Sequence, residues 1–163
     1  MYPLRTCIFP GLLTLVAASP ASAMEAACAP IIKASNAKFS APAFHDRMYE
    51  NAAATIPHGE FIKVGDKAWM KAGKGWMTVP PAMLKKMQNF ASEGFDMHNC
   101  KSLGMVGIRP ASIYGWELKA GGKVYKGSKL TVAFDGLPTK METGDGAYTL
   151  TTYGGVTAPK GLK

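Results

Sequence analysis

Glycine turns constrain this chain more than any other feature. Gly65-Asp66, Gly73-Lys74-Gly75, Gly121-Gly122, Gly136-Leu137-Pro138 and Gly144-Asp145-Gly146 cut it into short runs in which apolar and polar residues alternate. Tight turns of this kind join antiparallel neighbours, and the alternation belongs to a sheet with one covered and one wet face. Glu60–Val64, Lys67–Lys71 and Trp76–Val79 form the clearest meander. Further along, Ser112–Lys119 places Tyr114, Trp116 and Leu118 on one face. Lys123–Asp135 places Leu130, Val132 and Phe134 together, Leu137, Thr139 and Met141 oppose Lys140 and Glu142, and Ala147–Gly154 reads as a last strand. An earlier strand passes through Phe44, Arg47 and Tyr49, while Gly104–Gly107 reads as a short strand or turn and Ser92–Asn99 as a loop.

Two helices interrupt the strands. Ala29–Lys38 has Pro30 in its first turn and Ile31, Ile32 and Ser35 on one side. Pro80-Pro81 stops the meander and opens a second helix over Ala82–Ala91, where Met83, Met87 and Phe90 recur at helical spacing. No βαβ rhythm is present. The expected fold is therefore α+β: one highly curved antiparallel sheet of seven to nine strands with both helices on its concave face. At 163 residues and 47% apolar the chain is one globular domain, and no apolar run reaches the roughly 18 residues of a membrane-spanning helix.

The first segment reads as a cleaved export signal. Residues 1–23 carry Arg5 and no acid, an apolar stretch from Cys7 to about Ala18, and the small-residue site Ala21-Ser22-Ala23. The domain is then 24–163 in the periplasm. Glu25 stands where a lipidation motif wants an aliphatic residue, which argues against a lipid anchor. Cys7 leaves with the leader, so Cys28 and Cys100 are an even pair in an oxidising compartment and a disulfide is the default. Removal of Arg5 leaves 18 basic against 11 acidic side chains, a net +7 carried almost wholly by lysines spread along the chain. Nucleic-acid binders cluster such charge. A dispersed, exported set suits either an anionic lipid surface or plain solvation.

Three stretches carry a family resemblance. GEFIKVGDKAWMKAGKGWMTVP, CKSLGMVGIRPASIYGWEL and VAFDGLPTKMETGDGAYTLTTYGGVTAP, taken in that order over residues 60–159, resemble the LolA-like lipoprotein-carrier family. The resemblance implies an open, unclosed β-barrel whose greasy concavity is plugged by helices. It also implies a role in carrying lipoproteins or lipids across the periplasm, or in sensing envelope components.

The residues themselves point to a binding module. Trp69, Trp76, Tyr114 and Trp116 on strands, with Met83 and Met87 on the second helix, could line a groove for an acyl chain, since methionine adapts to varied apolar ligands. The competing reading of the same six residues is a filled core, which would make the chain an envelope interaction or structural protein. A third reading is a Cu(I) site from His45, His58 and His98 with Met97, but the spacing fits no ligand motif, so neither a metal nor a cofactor is expected. The sequence has no G-x-S-x-G elbow and no H-E-x-x-H, and no enzyme activity is expected. The expected partners are a hydrophobic ligand or anionic lipid head groups, with an envelope protein as a further partner, for a monomer that neither binds nucleic acid nor spans a membrane.

Overall fold

The computed structural model describes residues 26–73, 75–89, 96–120 and 122–160. The expected leader and Phe90 lie outside the described residues. A short 3-10 turn, Ala26–Cys28, leads into helix α1, Ala29–Ser40. Strands β1 (Ala43–Tyr49), β2 (Gly59–Val64), β3 (Lys67–Ala72) and β4 (Gly75–Thr78) follow, and then helix α2 (Pro81–Gln88). The second half holds β5 (Asp96–Val106), β6 (Ala111–Ala120), β7 (Lys123–Val132), β8 (Pro138–Glu142) and β9 (Tyr148–Thr152).

All nine strands form one sheet in the order β4-β3-β2-β1-β9-β8-β7-β6-β5, antiparallel throughout. Two meanders are joined where β1 pairs with β9. The class is therefore α+β, as the alternation and turns require. The expected strong curvature is corrected: the sheet is neither closed nor strongly curled. Its two edges, β4 and β5, are not hydrogen-bonded to each other. Helix α1 packs along one face from Ile31 to Phe39, and α2 packs on the same face through Leu84 and Met87.

Local differences from the alternation have physical causes. Helix α2 begins at Pro81, whose missing N–H costs nothing in a first turn. Part of the expected loop, Asp96–Asn99, belongs to β5. The signal that hid this strand is a bulge. Asn99 has φ 53°, and the register with β6 shifts between His98 and Lys101. An extra residue reverses the inward–outward parity, so Met97 and Cys100, three apart, are both buried on the same face. Asparagine tolerates this left-handed conformation better than most residues. Gly104, at φ 102°, sits at a second shift, and β5 continues through it to Val106. At the other correction, β7 ends at Val132, Ala133 N–H bonds Leu137 O at 2.9 Å, and Phe134 is turned out to solvent.

The covered face carries two hydrophobic clusters. In the first, Cys28, Ile31 and Ala34 pack on Met97, Cys100, Trp116, Leu130 and Val132. In the second, Phe44, Phe61, Ala68, Val79 and Leu84 are flanked by Phe39, Met48, Met70, Met87 and Tyr153. Phe44 is its centre, stacked on Phe61 with centroids 5.6 Å apart and edge-on to Phe39 at 5.6 Å. Helix α1 contributes to both clusters, Ile31 and Ala34 to one and Phe39 to the other.

Cys28 and Cys100 form a disulfide across 72 residues, with Cα atoms 5.1 Å apart. It ties α1 to the edge strand β5. Among the described residues no helix is long and apolar enough to cross a membrane. A buried disulfide of this span suits an oxidising compartment. Replacing both cysteines by serine should lower stability by roughly 4 kcal/mol on the loop-entropy argument. Urea unfolding of the two forms measures it, and an unchanged midpoint would show that α1 docks without the cross-link.

Candidate functional site

The antiparallel register builds a row of side chains across the covered face: Met48, Thr149, Met141, Leu130 and Tyr114, each opposite the next on neighbouring strands. Above this row, between the two clusters, lies a cavity of about 540 Å³. Helix α1 contributes Phe39 to its wall and α2 contributes Met83 and Met87, while Met48, Leu130 and Met141 come from the strands. Met83 and Met141 remain 46% and 38% exposed, so this apolar wall is not closed by its own packing.

Asp46 is the acid among the residues that line the cavity, alongside the lysines Lys38, Lys86 and Lys140 and the hydroxyls of Ser35, Thr149 and Thr151. Asp46 is buried on β1 between Phe44 and Met48, at an inward-facing position. Lys38 of α1 ion-pairs with its Oδ2 at 2.5 Å, and the Thr151 hydroxyl donates to its Oδ1 at 2.7 Å. The Lys38 ammonium also lies 4.9 Å from the Phe44 ring centroid. Each partner thus offsets the desolvation of the other. Tyr153 donates to Pro138 O at 2.7 Å, and burial, with Asp46 and Asp135 nearby, raises its phenol well above the ordinary range. Burial likewise lowers the Lys63 ammonium, which donates to Ala41 O at 2.8 Å.

The six sequence-predicted groove residues do not converge. Met83 and Met87 line the cavity. Tyr114 and Trp116 share its face but pack into the first cluster. Trp69 and Trp76 lie on the opposite face, because they alternate with the inward Met70 and Met77 and pair with Ile62 and Lys71. The three histidines are also apart. His45 bonds Glu60, His98 is 2.6 Å from Asp96 on the far edge, and His58 is in an exposed turn. Among the described residues no group of three or more His, Cys, Asp or Glu converges as a metal site. Sequence reasoning passed over Asp46, Lys38 and Thr151. The available signal was Asp46 itself, an acid at an inward position of a period-two strand.

The opposite face has a polar cavity of about 450 Å³, lined by His45, Arg47, Glu60, Lys71 and Trp76 and roofed by the terminal segment 154–160. Glu60 accepts from Lys71 on Oε1 at 2.7 Å and contacts His45 Nε2 through Oε2 at 2.8 Å. Burial raises its carboxyl, but the hydrogen bonds and charges of Lys71 and His45 outweigh that, and the net shift is downward from 4.5. Compared with known proteins, the sequence matches no family model and no curated protein.

Two outcomes follow from these ion pairs. Asp46→Ala leaves the Lys38 ammonium without its counter-ion and should cost about 3 kcal/mol in urea unfolding, with Asp46→Asn costing less. Glu60's lowered carboxyl stabilises the fold above the unfolded value of 4.5 and loses that contribution as pH falls through its lower folded value. The acid-side decline in unfolding midpoint should therefore be shallower in Glu60→Gln, and identical slopes would remove Glu60 as a contributor.

Proposed function

We propose that this chain is an exported, non-enzymatic binding protein that holds a hydrophobic, acyl-type ligand between its two helices and the covered face of its sheet. The observation that carries the reading is the 540 Å³ cavity walled by Phe39, Met48, Met83, Met87, Leu130 and Met141. Its size is in the range of small-molecule sites, and its unbranched thioether walls can repack around a flexible chain. Lys86 lies at the cavity edge, where a cation meets a carboxylate or phosphate head group. The motif order that resembles LolA-like carriers supports the same class of ligand, and the leader with the Cys28–Cys100 disulfide supports a periplasmic setting.

A second reading, an envelope protein that binds a protein partner, is favoured by a different observation. The β5–β6 hairpin exposes Met105 at 72%, beside Leu103 and Val106, on the edge strand of the sheet, and Ile108 at 104% in the turn that follows. Exposed apolar surface of this kind commonly serves as a contact site.

Native mass spectrometry of the protein released gently from a Gram-negative periplasm separates the two. A lipid-sized adduct is expected, lost on collisional activation. Met87→Glu should reduce adduct occupancy at least about tenfold while the melting temperature stays near that of the parent, since Met87 is only half-buried. A bare parent mass that takes up no added palmitate would overturn the acyl-ligand reading and favour the protein partner.

A further inference from the structure

We propose that the opposite face of the sheet carries a second site, for a small organic anion whose charged end is held by Arg47 and whose flat body lies against Trp76. The register sets the two residues in one row: Trp76 opposes Lys71, Lys71 opposes Glu60, and Glu60 opposes Arg47. All four line the 450 Å³ polar cavity under residues 154–160.

The charges in this row do not balance. Glu60 is the acid among the lining residues, and both its oxygens are taken, one by Lys71 and one by His45. Arg47 is half-buried on the same wall, and among the described residues no carboxylate pairs with it. Lys160, from the terminal segment, adds a second cation that has no acidic partner among the described residues. A guanidinium partly removed from water with no counter-ion is left under-compensated, and an arriving anion restores the balance. The planar fork of arginine fits a carboxylate or phosphate through two parallel N–H···O bonds.

Trp76 selects the rest of the ligand. Its ring is half-buried on the cavity wall, with the Lys71 ammonium 5.9 Å from its centroid. An indole ring lining the same cavity as Arg47 and Lys160 suits a flat, anionic molecule such as an aromatic carboxylate or an aryl phosphate. The volume fits a small molecule and excludes a folded partner. The same chemistry could be supplied by a soluble anion or by the head group of an anionic lipid.

Phenyl phosphate is the probe, read by the three tryptophan indole N–H signals in heteronuclear NMR. The signal absent from Trp76→Phe should shift saturably, while that of buried Trp116, on the covered face, stays in place. Arg47→Gln should weaken binding about tenfold, as expected for the loss of a bidentate charged pair. Lys85→Gln, exposed on α2 and outside the cavity, should leave affinity unchanged. Inorganic phosphate, which lacks the ring, should bind more weakly. Should Arg47→Gln fail to fold, Lys160→Gln tests the same site, since it changes only the terminal segment; about threefold weakening is expected there. Displacement of phenyl phosphate by phosphatidylglycerol vesicles would assign the anion to a lipid head group, and no displacement would assign it to a soluble ligand. A non-saturating shift, equal weakening by Lys85→Gln, or unchanged affinity in the folded Arg47→Gln protein would overturn the proposal.

Discussion

The pairing of β1 with β9 is the constraint on which the rest of the structure depends. Each meander is local, built from hairpins whose connections run from two to nine residues. The seam between them joins positions about a hundred residues apart, His45 with Thr152 through Tyr49 with Tyr148. It makes one sheet out of two, and it places Thr151 on Asp46, Tyr153 beside Phe44 and Tyr148 stacked on Tyr49 at 4.7 Å. Without it Asp46 would lose one of its two partners and the apolar cavity would lose Thr149 and Thr151 from its floor. Such a contact is paid for in loop-closure entropy before it returns any stability. The aromatic pairs and the Asp46–Thr151 bond along the seam are the interactions available to offset that cost.

Along this seam, period-two alternation divides two chemistries between neighbouring residues. Asp46 faces the cavity beneath the helices, and Arg47, next in the chain, faces the cavity beneath the terminal segment. The acid is matched by Lys38 and Thr151 on its own side. It therefore offers no charge to Arg47 across the thickness of the sheet. The same parity sends Met70 and Met77 to one face and Trp69 and Trp76 to the other.

That parity is legible in the residues themselves, and it separates what a sequence discloses from what it hides. The turns at Gly65, Gly73 and Gly146 mark strand ends correctly, because each needs a positive φ that glycine supplies without strain. The disulfide is legible from cysteine count and compartment. The grouping of Trp69 and Trp76 with Met83 and Met87 pools residues by chemical type across faces that alternation keeps apart. The first part of β5 is hidden because the Asn99 bulge breaks the alternation that identifies strands. Phe134 continues the pattern of Leu130 and Val132 past the point where the Asp135-Gly136 turn begins. The β1–β9 seam leaves no local mark, since strand pairing at long range is decided by packing and not by the residues of either strand.

The open cavity itself follows from a mismatch of sizes. Nine strands about 4.8 Å apart span roughly 38 Å. Two helices, each about 10 Å in diameter, cover roughly half of that width. Stronger curling would have drawn the sheet around them and closed the difference. In this open sheet α1 reaches both clusters and α2 covers the second alone, and the strip left between the two helices falls on β1, β9 and β8. The strand side chains facing that strip are Asp46, Met48, Thr149, Thr151 and Met141, not the Phe and Trp of the clusters on either side. Flexible thioethers and small hydroxyls lose less by partial exposure than a rigid aromatic ring would, and they can close on an apolar chain when one is present. The gap left by two short helices and the residues chosen to face it are thus two parts of one arrangement.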